Sequence, residues 1–349
     1  MRFILPAIVL SLGVVAAAQE APRYEVDPSW PQPLPEGWIT GQLGGVCVDS
    51  HDHIVVVNRQ NITEEEAETS LQAPAIIMFD STGNVVSSWG DRGEVPQSIH
   101  GCTFDEEDNI WVGGNQDAIV QKYSHAGELL MQLGTHGDFD SSTGTGDGAP
   151  QNSAQARFFN PAGVAIDPAN GDIYVADGYG NRRIAVFDKT GQFLRQWGRQ
   201  ATREETENGV AGVFSQVVHC VAISNAGSVY VCDRQGDRVQ VFDKSGNLLR
   251  NIWIRTGTPT LPDARGTAWW VAFSPDPGQR YLYVMNGRNE QVHVLDHQSG
   301  EILSSFGRPG HQIGNFTHGH TIAVDSQGNI YVAETNYGRR VQRFKPVDR

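Results

Sequence analysis

The clearest repeating unit of the chain spans residues 162–198, which read AGVAIDPANGDIYVADGYGNRRIAVFDKTGQFLRQWG. An apolar run is followed by a turn and by a second apolar run that ends in Asp177. A third run ends in Phe187 and Asp188, and another turn leads to a fourth run. Short apolar runs separated by Gly, Asn and Asp are typical of antiparallel strands. Residues 219–250, HCVAISNAGSVYVCDRQGDRVQVFDKSGNLLR, repeat the same order.

Six units of this kind fill the chain. The other four begin at Gly44, His100, Trp269 and His320, so that successive starts lie 50 to 62 residues apart. Four antiparallel strands repeated at this period predict an all-β, six-bladed β-propeller, which forms one domain over residues 19–349. The last unit ends after its third strand. We expect residues 24–26 to add the missing strand and close the ring.

The N-terminal residues have a different character from the repeats. One Arg, an apolar run and a small-residue end at Ala18 predict a signal peptide over residues 1–18, and therefore a secreted or periplasmic protein. No later stretch is apolar over the length of a membrane span, so none is expected in the mature chain. The formal net charge of -14 argues against nucleic acid as a partner, because phosphate binding needs a basic face. We expect a monomer.

The four cysteines show no CxxC metal spacing. In an exported chain they could form disulfides, and Cys220 and Cys232 could face each other across one hairpin. Cys47 and Cys102 have the pattern of small buried core residues. We expect buried thiols rather than bridges for both pairs.

When the six units are aligned, each has one equivalent residue at the start of its first strand. This strand is the innermost of its blade and lines the channel of a propeller. Three of these six positions are His100, His219 and His320, and they belong to alternate blades. Three imidazoles from alternate blades, with no fourth protein ligand evident, predict a zinc site with an open position. The alternative is that these histidines pack in the channel and bond to the backbone. His318 lies two residues from His320, and we expect it beside the site or exposed rather than as a ligand.

A second aligned position follows the second strand, at the same end of the propeller. It holds Arg59 and Arg234, which come from opposite blades and could bind a carboxylate through forked hydrogen bonds. Tyr179 follows at the rim of blade three, where its phenol could transfer a proton beside a metal. The alternative for each residue alone is a solvent-exposed rim side chain.

Other charged residues and histidines are expected to have no part in the chemistry. Arginines recur once per blade in a pattern that predicts structural ion pairs with acids, namely Arg183 with Asp177, Arg238 with Asp233 and Arg340 with Glu334. The remaining histidines fall in turns, insertions or outer strands and receive no role; they are His51, His53, His125, His136, His293, His297 and His311.

The unit resembles the NHL repeat, most clearly in FFNPAGVAIDPANGDIYVADGYGNRRIAVFD, and this resemblance covers nearly the whole mature chain. With the histidines in HGCTFD, VHCVAIS and GHTIAVD, the tyrosine in DGY and the arginines in VVVNR and YVCDR, the chain is similar to the peptidyl-α-hydroxyglycine α-amidating lyase (peptidylamidoglycolate lyase) family. The resemblance implies zinc on His100, His219 and His320. It also implies a catalytic role for Tyr179, with Arg59 and Arg234 holding a small-molecule or peptide substrate through its carboxylate.

The resemblance has departures. The family usually has Asp after its third zinc histidine, where it helps to bind calcium, and this chain has Thr321, which argues against calcium. Gly180 stands where the animal enzymes have a disulfide cysteine. Two other functions stay open: a non-catalytic propeller that binds a protein or glycan, and a metal-dependent hydrolase. The hydrolase ranks last, because the channel position contains no Asp or Glu.

Overall fold

The computed structural model of the chain describes residues 21–140, 152, 154–254 and 265–347. The expected signal peptide, residues 1–18, lies outside the described residues, so its presence and the boundary of the domain stay predictions. Among the described residues, none of the helices is long and apolar enough to cross a membrane.

The described residues are almost entirely strands and turns, with two short α-helices, α1 (Glu64–Ala67) and α2 (Arg203–Glu207), and one turn of 3-10 helix at Arg234–Gly236. In chain order the strands are β1 (Arg23–Val26), β2 (Trp38–Ile39), β3 (Leu43–Val48), β4 (Ile54–Asn58), β5 (Leu71–Gln72), β6 (Ile76–Phe79), β7 (Val85–Trp89), β8 (Ile99–Phe104), β9 (Ile110–Gly114), β10 (Ile119–Tyr123), β11 (Leu129–Gly134), β12 (Pro161–Ile166), β13 (Ile173–Asp177), β14 (Arg183–Phe187), β15 (Phe193–Trp197), β16 (Val218–Ile223), β17 (Val229–Asp233), β18 (Arg238–Phe242), β19 (Leu248–Trp253), β20 (Ala268–Phe273), β21 (Tyr281–Asn286), β22 (Gln291–Asp296), β23 (Ile302–Phe306), β24 (Gly319–Val324), β25 (Ile330–Glu334) and β26 (Val341–Val347).

These strands form the six blades that the repeat predicts. Blade one contains β3, β4, β6 and β7, and blades two to five contain β8–β11, β12–β15, β16–β19 and β20–β23. Blade six contains β24, β25, β26 and β1. Strands β2 and β5 make a small parallel pair apart from the blades. The prediction of an all-β, six-bladed propeller is confirmed.

Burial explains why the inner strands are continuous apolar runs while the outer strand alternates. All residues of β13 and β14 are buried, whereas burial alternates along β15 in the same blade. Inner strands have a neighbouring blade on both faces, so valine and isoleucine fit on either side. The outer strand has one wet face, and its side chains alternate with the pleat.

The ring closes between the two ends of the described chain. Strand β1 pairs antiparallel with β26, with Tyr24 opposite Pro346 and Val26 opposite Phe344. An ion pair between Arg343 and Asp27 lies beside this junction. The expectation that residues 24–26 supply the fourth strand of blade six is confirmed.

Each innermost strand carries a β-bulge near its start. The register with the second strand shifts around His219 in blade four and around His320 in blade six, so each histidine is the extra residue of a bulge. In blade two the shift follows His100, and Gly101 with a φ of 63° is the extra residue. The same irregularity occurs in blades one, three and five. A bulge changes the direction in which nearby side chains point, so side chains near the start of every innermost strand are redirected.

The expectation of buried thiols is wrong for both cysteine pairs. Cys47 and Cys102 form a disulfide between the innermost strands of blades one and two, with Cα atoms 5.7 Å apart. Cys220 and Cys232 form a second disulfide within blade four, with Cα atoms 4.9 Å apart. The reason is packing, because neighbouring innermost strands and paired strands both bring Cα atoms within bridging distance. Two disulfides are compatible with an extracellular environment.

Candidate active site

The three histidines that begin alternate blades meet at one point. His100 lies on β8, His219 on β16 and His320 on β24, and all three are buried. One nitrogen of each lies within 4.8 Å of the other two. The ring centroids are 4.8 Å apart for His100 and His219, 4.6 Å for His100 and His320, and 5.1 Å for His219 and His320. The structure therefore brings this set of sequence-predicted residues together.

Hydrogen bonds to backbone carbonyls show which ring nitrogen carries the hydrogen in two of these histidines, His100 and His219. His100 Nδ1 lies 3.0 Å from the carbonyl oxygen of Ala162, and His219 Nδ1 lies 2.6 Å from that of Trp269. A carbonyl can only accept, so each Nδ1 carries the hydrogen and each Nε2 keeps its lone pair. Metal-binding histidines are commonly oriented in this way by a bond from the second nitrogen. His320 Nδ1 is buried and has no hydrogen-bond partner among the described residues.

The surroundings keep the three imidazoles neutral. Burial, followed by the nearby charge of Arg59, holds the pKa of His100 well below its ordinary value. Burial is also the largest cause of the lowered pKa values of His219 and His320, followed by the effect of His100. Neutral imidazole is the form that binds a metal ion. The donor set, its tautomers and its burial therefore fit a divalent transition metal.

The hydroxyl of Tyr179 lies directly against this cluster. Its oxygen is 3.1 Å from His100 Nε2 and 3.1 Å from His219 Nε2. Arg234 Nη1 donates to the same oxygen at 3.3 Å. Because Tyr179 follows the end of β13 at the end of the blade where the histidines lie, its phenol reaches both imidazoles and the arginine at once. A proton on this oxygen has an acceptor within hydrogen-bond distance.

Arg182 holds the loop that carries Tyr179, a role that the sequence pattern alone did not predict. Its Nη1, which has two hydrogens to share among them, lies within hydrogen-bond distance of the carbonyl oxygens of residues 178–181, at 2.9, 3.2, 3.2 and 2.6 Å in chain order. Burial lowers the pKa of Arg182 to about 10, so the guanidinium stays charged at neutral pH. The signal was the first arginine of Asn181-Arg182-Arg183, a sequence in which only Arg183 was interpreted.

The two rim arginines flank the cluster from blades one and four. The guanidinium of Arg234 lies over the ring of Trp269, with 4.9 Å from its carbon to the ring centroid. Arg59 Nε donates to the carbonyl oxygen of Ile99 at 3.4 Å, and its Nη1 donates to Gln42 at 3.1 Å. Both side chains are half-buried, and burial lowers the pKa of Arg59. Trp269 is a further residue to which the sequence analysis gave no role.

A polar cavity opens beside Arg59. Its volume is about 530 Å³, and its wall includes Asn115 of blade two and Asn336 of blade six. The side-chain oxygen of Asn115 is buried and has no hydrogen-bond partner among the described residues. The cavity therefore offers room and an unused acceptor next to a guanidinium.

Ion pairs with buried acids support the rim in three blades. The predicted pairs are confirmed, with Arg183 and Asp177 at 3.0 Å, Arg238 and Asp233 at 2.9 Å, and Arg340 and Glu334 at 2.6 Å. The same acids accept hydrogen bonds from backbone N–H groups just before the innermost strands, at positions 159, 215 and 317. Each pair thus ties the end of a second strand to the start of its neighbour.

His318 lies beside the cluster but is not one of its three members. Its Nε2 is 2.9 Å from the amide nitrogen of Asn336, and its Nδ1 is 3.3 Å from Arg265. Thr321, where the family usually has Asp, accepts a hydrogen bond from the backbone N–H of Val46 at 3.0 Å. Its hydroxyl is therefore engaged with the innermost strand of blade one.

The comparisons with known sequences find NHL-repeat proteins and peptide-amidating enzymes. A sequence model of the NHL repeat matches residues 158–187. The human NHL repeat-containing protein 3 is 27% identical over 93% of this chain and 85% of its own length. The peptidyl-glycine alpha-amidating monooxygenase B of Xenopus laevis is 27% identical over 93% of this chain, which spans only 36% of that enzyme. The peptidyl-alpha-hydroxyglycine alpha-amidating lyase 1 of Drosophila melanogaster is 27% identical over 87% of this chain and 57% of its own length.

Solved structures share the fold. A streptogramin B lyase superposes with a TM-score of 0.57 at 10% identity, covering 93% of this chain and 98% of that one. The virginiamycin B lyase of Staphylococcus aureus gives a TM-score of 0.54 at 13% identity, covering 93% of this chain and 89% of that one. These values show a common propeller architecture and leave the activity to be argued from the site.

Proposed function

We propose that the chain is a zinc-dependent carbon–nitrogen lyase that resembles peptidylamidoglycolate lyase. Its substrate would be a carbinolamide of the α-hydroxyglycine type, and its products an amide and glyoxylate. The observation that carries the proposal is the meeting of three neutral, buried imidazoles with the Tyr179 hydroxyl and the Arg234 guanidinium. Relatives that are named lyases support the reaction class at 25 to 27% identity.

The residues that would hold zinc are His100, His219 and His320. Three imidazole ligands leave a fourth position open for a substrate oxygen. When bound, zinc supplies a positive charge that stabilises the oxygen of the substrate hydroxyl as this group loses its proton. Calcium has no corresponding support, because Thr321 replaces the acid that the family uses.

Tyr179 would transfer a proton, and Arg59 and Arg234 would bind the carboxylate of the substrate. In the reaction the C–N bond breaks with its electron pair passing to nitrogen, while an oxygen lone pair completes the carbonyl of glyoxylate. The proton lost by the hydroxyl balances the proton gained by nitrogen. Tyr179 would accept that proton, since its oxygen lies at the cluster. Arg59 and Arg234 would hold the carboxylate of the substrate, and the cavity beside Arg59 would receive the rest of the molecule.

The test is glyoxylate release from α-hydroxyhippurate by the purified chain, with zinc content measured on the same sample. We expect turnover with zinc present, loss after chelation and recovery when zinc is returned. Tyr179→Phe should lose turnover and keep zinc, while His219→Ala should lose both. Tyr281→Phe is the matched control, because Tyr281 begins the second strand of blade five at the opposite end.

Two results would contradict the proposal. Turnover that survives both Tyr179→Phe and His219→Ala would remove these residues from the chemistry. A protein that holds no zinc at the channel and releases no glyoxylate would leave a binding propeller. Export stays part of the proposal, supported by the two disulfides and tested by sequencing the mature N-terminus of the expressed protein.

A further inference from the structure

A second group of metal-ligand side chains lies at the opposite end of the strands, which we call the turn end. His53 lies between β3 and β4, and His125 lies between β10 and β11. Asp49 Oδ2 is 2.8 Å from His53 Nδ1 and 2.9 Å from His125 Nε2. The three ligand atoms all lie within 4.8 Å of one another. Two imidazoles from neighbouring blades therefore face one carboxylate oxygen.

Equivalent aspartates in other blades have partners of a different kind. Asp105 in blade two pairs with the ammonium of Lys122 at 2.8 Å. Asp167 in blade three pairs with Lys244 at 2.6 Å. A lysine ammonium has three hydrogens and no lone pair, so these pairs cannot bind a metal ion. At Asp49 the place of the lysine is taken by two imidazoles, which are common ligands of transition metals.

Blade six shows that a neutral partner is also accommodated at this position. Asp325 accepts a hydrogen bond from the hydroxyl of Tyr331 at 2.9 Å and another from the side chain of Asn329 at 2.7 Å. A phenol and an amide nitrogen are hydrogen-bond donors here and offer no imidazole nitrogen. Among the aspartates that the structure describes at this position, Asp49 of blade one is the one that faces imidazole nitrogens.

The group is held in place before any ion binds. Asp49 Oδ1 accepts the backbone N–H groups of His51 and His53, at 2.9 and 2.8 Å, which fixes the plane of the carboxylate. The backbone N–H and the hydroxyl of Ser50 donate to Asp108, at 3.0 and 2.6 Å, and tie the turn of blade one to blade two. The relative position of the two blades, and so of the two imidazoles, is therefore fixed without a bound ion.

Access and charge both favour an ion at this place. The Asp49 side chain has no exposed surface, while His53 and His125 are 31% and 42% exposed. A cation can offset the negative charge of a buried carboxylate, as Lys122 does for Asp105 and Lys244 does for Asp167. An ion could reach the open sides of the imidazoles from solvent and supply that charge in blade one.

We propose that Asp49, His53 and His125 form a second zinc site, distinct from the histidines of the channel. Two imidazoles and one carboxylate make a common three-ligand zinc set, in which water completes the coordination. The site joins blades one and two, the same blades that the disulfide between Cys47 and Cys102 joins. Its role would be to stabilise this junction, and it does not depend on the proposed lyase activity.

The experiment is a zinc titration of the full chain after removal of metal, with bound zinc measured by equilibrium dialysis. We expect the wild type to bind two zinc ions, and His53→Ala and His125→Ala to bind one each. His136→Ala is the matched control and should bind two, because His136 is similarly exposed at 46% and contacts a single carboxylate, that of Asp117, at 2.8 Å. Zinc should raise the melting temperature of the wild type more than that of His125→Ala.

Measuring His219→Ala in parallel separates this proposal from the proposed function. One ion in the wild type that is lost in His125→Ala and kept in His219→Ala would support the second site and remove zinc from the channel. One ion that is lost in His219→Ala and kept in both turn-end variants would overturn the second site and support the channel site. Circular dichroism of the metal-free variants checks folding, and agreement between His53→Ala and His125→Ala excludes a defect of one variant.

Discussion

Both ends of the propeller hold histidines, but in contrasting surroundings. In the channel, three imidazoles are buried, two of them donate to backbone carbonyls, and the groups around them are a phenol and two arginines. At the turn end, two partly exposed imidazoles face a buried carboxylate. The channel set contains neutral ligands only, whereas the turn-end set contains a negative one.

This difference separates two uses of a metal ion. A divalent ion bound by three neutral imidazoles keeps most of its charge and can act on an oxygen of a substrate. An ion bound beside Asp49 is partly neutralised by the carboxylate and is suited to joining two elements of the fold. Burial first, and then the neighbouring histidines and the charges of Arg59 and Arg234, lower the pKa of His320 and so oppose its protonation.

The largest expected effect is on catalysis in the channel. His219→Gln should lower kcat/KM for an α-hydroxyglycine substrate by about a thousandfold or more, because it removes a zinc ligand. His125→Gln, at the turn end, should lower kcat/KM by a factor at least about a hundred times smaller than His219→Gln does, because the His125 side chain is remote from the substrate. Steady-state kinetics on zinc-loaded protein checks both. Equal losses would break the division of roles between the ends.

The next effect concerns charge pairs that support the two ends. Arg238→Ala should lower the free energy of unfolding by about 3–5 kcal/mol, because it leaves the fully buried carboxylate of Asp233 without its partner. Lys244→Ala should lower it by about 1 kcal/mol, because the lysine is partly exposed and water can replace it. Denaturant unfolding of both variants makes the comparison. A larger loss for the lysine variant would reverse the ranking.

A smaller effect is expected from the residue that positions Tyr179. Arg182→Ala should lower kcat by about 10- to 100-fold with a smaller change in KM, because the loop of residues 178–181 loses its common donor. Arg182→Lys should restore part of the rate, since an ammonium can donate to some of the same carbonyls. Zinc content should stay that of the wild type. A change in KM alone would instead assign Arg182 to substrate binding.

The smallest effect is a pH dependence of stability near the channel. Burial raises the pKa of Glu290 to about 7 from an ordinary value of 4.5. The folded state then binds a proton that the unfolded chain has released, so stability falls as pH rises between these values. Glu290→Gln removes this dependence and should gain about 1–3 kcal/mol relative to the wild type between pH 5 and pH 8. Urea unfolding of the metal-free proteins at both pH values measures it.

Asp105 at the turn end should behave in the opposite way. Burial raises its pKa, but hydrogen bonds from Lys122 and from backbone and side-chain groups of the turn outweigh this and lower it overall. Its contribution to stability is therefore present at neutral pH and is lost only in acid, below the ordinary range of a carboxyl.

A wild-type protein whose stability rose steadily from pH 5 to pH 8 would contradict the effect assigned to Glu290.

The fold and much of the candidate site could be predicted because a propeller repeats its geometry. Once the units are aligned, His100, His219 and His320 occupy equivalent positions around one axis, and the arginine and tyrosine positions open at the same end. The repeated arginine–acid pairs were predictable for the same reason. Their roles in catalysis stay predictions that the experiments above test.

Apart from the Cys220–Cys232 bridge within blade four, the contacts that sequence reasoning missed cross from one repeat to another or lie within one loop. The bridge between Cys47 and Cys102 joins neighbouring blades at positions that differ by one residue in the aligned units. The approach of His125 to Asp49 joins two different kinds of turn, at strands one to two and at strands three to four. Alignment of equivalent positions cannot detect contacts between positions that are not equivalent.

The repeat pattern is enough to predict the six blades, the closing strand and the level of the ring at which the three histidines lie. Periodic apolar runs and turn residues act locally and recur, so they can be read without coordinates. Packing between strands and blades, in contrast, fixes which nitrogen of His100 and of His219 keeps its lone pair, which cysteines join and which imidazoles share a carboxylate. These depend on bulges and on packing between blades, where a shift of one residue or a few ångströms changes the partner.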